Sequence, residues 1–291
     1  MIQLRKVLLK NLSNSPFLSA SSVAKLCDAK VFNKADLFWF SIRNRFSHSV
    51  FVRAELVEVF LEKYYANLRA QVVVIGASDR NFTCFPFVFP NKVHTILCQN
   101  NTVQSKNLFT LPLGLENREL GRSGLKRYHR QIDKPKIFDK VFVPPMSPTN
   151  PIRRATILKC LDRTDTFDVH TQLLDEASYF EISRKYRFVL CLEGNGFENH
   201  RIWETLYRGG VPILLSTDWA KSLGYLNLPM ILVDSIERIT QGFLRERDKE
   251  IGDFSSAKLP QLWTPFWKSI IRSKDVGVLS QNTQLFPKFP R

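Results

Sequence analysis

A glycine turn followed directly by charged residues lies near the middle of the chain, within residues 186–216 (YRFVLCLEGNGFENHRIWETLYRGGVPILLS). The apolar runs on either side of the turn are typical of buried strands. Gly194 and Gly196 permit backbone torsions and a close approach that a side chain would block. A helix predicted to begin near Glu198 or Asn199 would direct its unpaired backbone N–H groups and positive dipole end at this turn. The combination predicts a binding site for a phosphate group.

On this predicted helix, Arg201 and Glu204 lie three residues apart and His200 and Glu204 four apart, so each pair shares a face. Another face, with Ile202 and Trp203, is predicted to be buried. A cation near a helix N-terminus opposes the helix dipole, and an anion bound between Arg201 and the turn would relieve this conflict. Glu204, one turn further along, could accept hydrogen bonds from ribose hydroxyls. The alternative is that the three polar side chains form only an ion-pair cluster at the surface.

The formal net charge of +15 is the main compositional feature of the chain. Such a charge attracts polyanions, anionic membrane surfaces and small phosphorylated substrates. The basic stretch 121–136 (GRSGLKRYHRQIDKPK) is compatible with nucleic-acid binding. A solvated basic surface explains the same composition, and the sequence has no RNP, zinc-finger or helix-turn-helix pattern. Charge alone therefore does not identify the partner.

The five cysteines are scattered along the chain, and no two of them form a CxxC pair. This pattern predicts reduced thiols rather than a disulfide framework or a zinc site. The apolar runs are much shorter than a membrane span, and the N-terminal apolar stretch is too short and interrupted for a signal peptide. We therefore expect a protein that is cytoplasmic or otherwise soluble, with no transmembrane segment.

Short β-rich runs alternate with amphipathic helical patterns along most of the chain, which predicts parallel sheets covered by helices. At 291 residues the chain favours two domains over one. We expect an α/β protein with two Rossmann-like, doubly wound domains and a cleft between them, where a ligand lies at the carboxyl ends of the strands. The predicted units are residues 1–137, residues 138–258, and a C-terminal helix and tail (259–291) that crosses back to the first domain.

Four segments, in the same order, resemble those of the exostosin-like glycosyltransferases (glycosyltransferase family 47 and relatives). YRFVLCLEGNGFENHRIWETLYRGGVPILL resembles their nucleotide-sugar-binding segment, with a strand, a glycine turn, His-Arg, Trp-Glu and then Gly-x-x-Pro-Ile. SVFVRAELVEVFLEKYYANLRAQVVVIGASD is similar to the family's first-domain strand-helix-strand unit, which ends in Ser-Asp. NLFTLPLGLEN resembles its Pro-x-Gly-Leu-x-Asn segment, and VFVPPMSPTNPIRRATIL the start of its second domain. The resemblance covers about residues 49–234.

This resemblance implies a fold of the glycosyltransferase B (GT-B) type and an enzyme, a hexosyl- or pentosyltransferase. It implies transfer of a single sugar from a nucleotide sugar to a glycan hydroxyl, with a UDP-sugar favoured and xylose the leading guess. The reaction would invert the anomeric carbon and would need neither a metal ion nor another cofactor. The second domain would hold the nucleotide sugar, and the first would hold the glycan acceptor.

An inverting transfer without a metal needs cations or N–H groups at the departing diphosphate. Arg201 is the first candidate for this catalytic role. Arg153 or Arg154, at the start of a helix predicted to follow a strand, is the second, although a solvated helix start explains that pair equally well. Glu204 is assigned to the ribose, and His200 either to the donor or to an ion pair with Glu204. The close backbone contacts with the donor are assigned to Gly194, Asn195 and Gly196.

A base must also deprotonate the acceptor hydroxyl. Asp79 is the best candidate, because it ends the first-domain strand VVVIGASD and could project into the cleft. The alternative is that Asp79 caps a turn or a helix. Glu116, after PLGL, and Glu193, just before the glycine turn, are further candidates for the base.

Two other functions fit the same sequence. A basic nucleic-acid-binding protein could use a degenerate Rossmann-like scaffold, and an inactive relative could bind a nucleotide sugar without turnover. A resemblance in fold does not separate these functions from an active transferase, because one fold supports many functions. The residues at the predicted site have to decide between them.

Overall fold

Two parallel sheets of five strands each form the framework of an α/β protein, as the sequence predicts. The computed structural model describes residues 15–85, 88–103, 105–120, 124–129, 135, 137–146 and 150–273, without the side chains of Glu119 and Arg154. The basic stretch 121–136, considered above for nucleic-acid binding, lies mostly outside the described residues, as does the tail after Ser273.

The first sheet contains five parallel strands that lie side by side in chain order. They are β1 (Ala29–Val31), β2 (Ser49–Arg53), β3 (Val72–Gly76), β4 (Thr95–Cys98) and β5 (Leu108–Thr110). The runs that form β2 and β3 are largely apolar because both faces of the sheet are covered. The order contains no reversal, so the first sheet lacks the topological switch point that the predicted doubly wound pattern implies. In this respect the prediction differs from the structure.

Helices pack on both faces of the first sheet. They are α1 (Ala20–Ala24), α2 (Lys34–Arg43) and α3 (Val57–Tyr64). On one face, the rings of Phe40, Phe60 and Tyr64 meet between α2 and α3, within a core that also contains Val50. On the other face, α1 packs through Val23. Successive residues of a strand alternate between these two cores, as the pleat requires.

The second sheet has the strand order β10-β9-β8-β6-β7, and all of its pairs are parallel. Its strands are β6 (Ile137–Val143), β7 (Phe167–Val169), β8 (Tyr186–Leu190), β9 (Val211–Leu215) and β10 (Ile231–Val233). The chain leaves β6 toward β7 on one side, returns to β8 on the other, and continues outward to β10. This order is doubly wound, as predicted, and its switch point lies between β6 and β8.

The helices of the second half are α4 (Pro151–Leu161), α5 (Glu176–Ser183), α6 (His200–Tyr207), α7 (Asp218–Ser222), α8 (Gln241–Ile251) and α9 (Thr264–Arg272). The start of α4 is well defined, because the side chain of Asn150 accepts hydrogen bonds from the N–H groups of Ile152 and Arg153 at 3.0 and 3.2 Å. Pro151 occupies the first position of this helix, where its missing N–H is no loss. The cap holds Arg153 next to the switch point.

One buried cluster contains residues of both sheets. It includes Phe51 of β2, Phe142 of β6 and Trp267 of α9. The chain near Leu18 joins these parts, because its N–H donates to the Tyr207 hydroxyl at 2.9 Å, and that hydroxyl donates to the carbonyl of Leu262. The two halves therefore pack through a continuous apolar core.

No helix among the described residues is long and apolar enough to cross a bilayer. All five cysteines are free, and four of them are buried. Burial raises the pKa of the Cys27, Cys160 and Cys191 thiols to about 12, so these groups stay protonated at neutral pH.

Gly114 provides a test of how the loop after β5 packs. Its φ is +70°, and a Cβ at this position would clash with the carbonyl oxygen of Leu18. Gly252 has a similar φ of +62° but open space around it, so it is a matched control. We expect G252A to lower the free energy of unfolding by about 1–3 kcal/mol through backbone strain. G114A should lower it further because of the clash, as measured by urea denaturation; equal losses would contradict this account of the packing.

Candidate functional site

A cavity of about 430 Å³ opens at the carboxyl ends of β6 and β8, beside the switch point. Its volume lies in the usual range of small-molecule sites. Six of the residues predicted to bind the donor line this switch-point cavity: Arg153, Gly194, Asn195, His200, Arg201 and Glu204. Arg154 belongs to the first turn of α4, but its side chain is outside the described part of the structure. The fold therefore brings together predicted donor residues from two separate segments of the chain.

Two arginines give the switch-point cavity its positive charge. Arg153 donates through Nε to the carbonyl of Glu193 at 2.7 Å, and Arg201 donates through Nη2 to the carbonyl of Pro145 at 2.5 Å. Burial and, second, the charge of Arg201 lower the pKa of Arg153, while Glu193 offsets part of this effect. The two positively charged guanidinium groups repel each other in the partly buried wall of the cavity. An anion bound between them would remove that repulsion.

Glu204 lies on the wall of the same cavity and is buried. Its Oε2 accepts a hydrogen bond of 3.2 Å from the hydroxyl of Tyr179, whose ring centroid is 5.8 Å from the Arg201 guanidinium. Ile202 and Trp203 are buried, as predicted for the other face. Among the described residues, no ion pair joins Arg201 or Glu204 to its helical neighbours, so the alternative of a surface ion-pair cluster is wrong.

His200 lies where two cavities meet. Its Nδ1 is 2.8 Å from the carbonyl oxygen of Gly114, in the first half of the chain, so the predicted pair with Glu204 does not form. A carbonyl oxygen only accepts hydrogen bonds, so Nδ1 is the donor in this contact and Nε2 is the ring nitrogen left to accept a proton. His200 lines the switch-point cavity and also a second one, at the carboxyl ends of the first sheet.

This first-sheet cavity has a volume of about 530 Å³. Its charged and titratable wall is formed by Arg53, Glu55, Asp79, Arg80, Glu116 and His200. Asp79 is exposed, and its Oδ2 is 3.5 Å from Nδ2 of Asn195 in the glycine turn. Glu55 is already paired with Arg53 at 2.8 Å, and Arg80 pairs with Glu58 at 2.5 Å. Two of the candidate bases, Asp79 and Glu116, therefore share one cavity.

The glycine turn contacts the first half of the chain more than the prediction assumes. A Cβ at Gly196 would lie 2.9 Å from Oδ1 of Asn100 and 3.0 Å from the Asp79 carbonyl, so this glycine permits the approach of two chain segments. The N–H groups of Phe197 and Glu198 donate to the side chains of Asn81 and Asn100. Gly196 does not line the switch-point cavity, which corrects its assignment to the donor.

Glu198 is a buried residue that sequence analysis considered only as a helix start. Its Oε1 accepts hydrogen bonds from the N–H of Leu113 at 2.7 Å and from Nε1 of Trp203 at 2.5 Å. Burial raises the pKa of this carboxyl to about 8, although both hydrogen bonds act in the opposite direction. Helix α6 begins at His200, after Asn199. The nearby Trp is the only local signal that could have indicated a partner for Glu198.

A comparison of the chain with protein-family models and with curated protein sequences finds no match. Among the described residues, no group of three His, Cys, Asp or Glu side chains could hold a metal ion. The geometry of the two cavities and the resemblance of the motifs are therefore the grounds for inferring a function.

The raised pKa of Glu198 predicts a pH-dependent stability. Between 4.5, its ordinary value, and about 8 the folded state binds a proton that the unfolded state has released. The free energy of unfolding therefore falls as pH rises through this window, by up to about 1.4 kcal/mol per pH unit. Glu198→Gln removes this contribution. We expect the stability of the wild type relative to E198Q to fall from about pH 5 to about pH 8 in urea denaturation.

Glu62→Gln is the matched control, because Glu62 is exposed on α3. Its stability relative to the wild type should stay constant over the same range of pH. A constant difference for E198Q as well would show that Glu198 is ionised throughout.

Proposed function

We propose that this protein is a glycosyltransferase of the GT-B type, which transfers one sugar from a nucleotide sugar to a glycan hydroxyl. The observation that carries the proposal is the pair of cavities that meet at His200. One is lined by two arginines at a topological switch point, and the other contains carboxylates at the edge of the first sheet. The motifs that resemble exostosin-like glycosyltransferases line both cavities, which supports the same function.

The switch-point cavity suits the donor. Arg153 and Arg201 supply positive charge for a diphosphate, and Glu204 supplies an acceptor for ribose hydroxyls. Gly194 permits the close packing of the turn in the cavity wall, because a Cβ there would lie 3.1 Å from the carbonyl oxygen of Glu198. By the resemblance, the donor is a UDP-sugar and xylose is the first sugar to test. The site requires no metal ion if the arginines stabilise the leaving group.

The first-sheet cavity suits the glycan acceptor. In an inverting transfer, the acceptor oxygen bonds to the anomeric carbon while the bond to the diphosphate breaks, and its electron pair leaves with the diphosphate. A base takes the acceptor proton. Asp79, Glu116 and His200 line this cavity and are the candidates, and the geometry favours His200. It lines both cavities, and because Nδ1 faces the Gly114 carbonyl, Nε2 is the nitrogen that can accept a proton; Asp79 lines the acceptor side alone.

Binding of UDP tests the donor assignment. We expect Arg201→Ala and Arg153→Ala each to weaken UDP binding about 10- to 100-fold, because each removes charge-assisted hydrogen bonds to the diphosphate. Isothermal titration calorimetry measures the effect. Arg184→Ala is the control, because Arg184 lies just before β8, at the amino ends of the strands and away from the cavity.

Unchanged UDP affinity in both cavity variants would contradict the donor assignment. Oligonucleotide binding with a steep salt dependence and no effect of UDP would favour the nucleic-acid-binding alternative. UDP-sugar binding without hydrolysis or transfer would identify an inactive relative.

The base is tested by His200→Gln, which keeps a polar side chain but removes the proton acceptor. We expect kcat for sugar transfer to fall about 100- to 10,000-fold, with little change in UDP affinity. Asp79→Asn should lower kcat less than about tenfold, since it removes only a neighbouring charge. His94→Gln, exposed just before β4, is the control. The reverse ranking of His200 and Asp79 would identify Asp79 as the base.

A further inference from the structure

Helix α2 turns an apolar face to solvent. Phe38, Trp39 and Ile42 fall within an arc of about 100°, and Phe46 follows in the next turn. Their exposed fractions are 64%, 53%, 63% and 84%, respectively. The opposite face of α2 is buried in the core of the first sheet through Phe40. We call the four exposed side chains the α2 apolar face.

These four side chains lie next to one another as a patch, and are not single apolar residues scattered over the surface. The rings of Phe38 and Trp39 meet edge to face, with centroids 5.4 Å apart. Single exposed apolar residues are common on soluble proteins, but a contiguous apolar patch usually marks an interaction surface. Trp39 adds a further indication, because tryptophan is enriched where one end of a side chain is apolar and the other is wet.

Cations surround the α2 apolar face. Lys34, Arg43 and Arg45 are exposed at its borders, and Nζ of Lys63 on α3 lies 5.8 Å from the centroid of the Phe38 ring. The one carboxylate of α2, that of Asp36, accepts a hydrogen bond of 3.0 Å from the N–H of Phe32. These four cations outnumber the single carboxylate of α2.

We infer that the α2 apolar face binds the surface of an anionic lipid bilayer, with α2 lying in the plane of the interface. An apolar face with aromatic residues and a border of Lys and Arg is the composition of interfacial helices. Anionic headgroups would neutralise the cations while the aromatic rings enter the acyl boundary. A second copy docked face to face would instead bring the same cations together. This inference is independent of the proposed catalytic function.

Vesicle binding tests the inference. The full chain is titrated with vesicles of phosphatidylcholine, with and without phosphatidylglycerol, and bound protein is measured by sedimentation. We expect binding only with phosphatidylglycerol, and weaker binding at high salt. Ile42→Ser/Phe46→Ser should weaken it at least about tenfold, and Lys34→Gln/Arg45→Gln about fivefold for each cation removed.

The control removes two exposed leucines elsewhere, in Leu158→Ser/Leu161→Ser on α4. It should bind vesicles as the wild type does. Trp39 supplies a second readout, because the difference between the emission of the wild type and that of W39F isolates one of the five tryptophans. This emission should shift to the blue on binding and be quenched by lipids with brominated acyl chains.

Several results would overturn the inference. Binding that is independent of phosphatidylglycerol would show that anionic headgroups are not the ligand. Equal binding of the Ile42/Phe46 and Leu158/Leu161 variants would exclude this face as the lipid contact. A dimer that dissociates in I42S/F46S would make a second copy the occupant. Trp39 emission that is already blue-shifted without vesicles, and does not change with them, would show that another part of the chain covers the face.

Discussion

The position of the candidate site depends on the hydrogen bonds that the buried carboxyl group of Glu198 accepts. This carboxyl group reaches from the second half of the chain to the N–H of Leu113 in the first, and it also accepts from the indole of Trp203. Burial of such a group is costly unless hydrogen bonds compensate it. Since Glu198 stands just before α6, this contact fixes where the helix starts. The same helix carries three polar residues of the switch-point cavity, His200, Arg201 and Glu204.

The site keeps charges that a purely structural core would avoid. Arg153 and Arg201 lie close enough that the charge of one lowers the pKa of the other. Their hydrogen bonds to the carbonyls of Glu193 and Pro145 orient the guanidinium groups without neutralising them. Burial raises the pKa of Glu193, although the charge of Arg153 acts in the opposite direction. Such departures from local stability are expected where a protein binds a ligand.

Much of this arrangement could be predicted from sequence because it depends on local pattern. The run Val72–Gly76 is apolar throughout and forms a buried strand, and the face with Ile202 and Trp203 is buried. The approach of Arg153 to Arg201 was also predictable, because both residues follow the carboxyl ends of parallel strands.

The features that sequence did not reveal all depend on contacts between distant residues. The first sheet pairs its strands in chain order, which no local pattern determines. Glu198 accepts a hydrogen bond from Leu113, 85 positions away in the chain. At Gly196, the side chain of Asn100 from another loop leaves no room for a Cβ. Glu204 falls on a polar face of its helix and would be expected to be exposed, yet the wall of the cavity buries it. Burial of a polar residue is decided by how elements pack, and the sequence of one helix does not contain that information.

The core shared by the two sheets limits how the protein can open. Phe51, Phe142 and Trp267 come from different parts of the fold and lie in the same buried cluster. Exposure of each large apolar side chain costs about 1.5–3 kcal/mol, and the whole stability of a domain is only about 5–15 kcal/mol. Separation of the sheets at this core would therefore resemble unfolding. Both cavities open at the carboxyl ends of the strands, so ligands can enter there without separation of the sheets. His200 lines both cavities and contacts the Gly114 carbonyl in the first half of the chain, so the packing of the two halves also sets how the cavities meet.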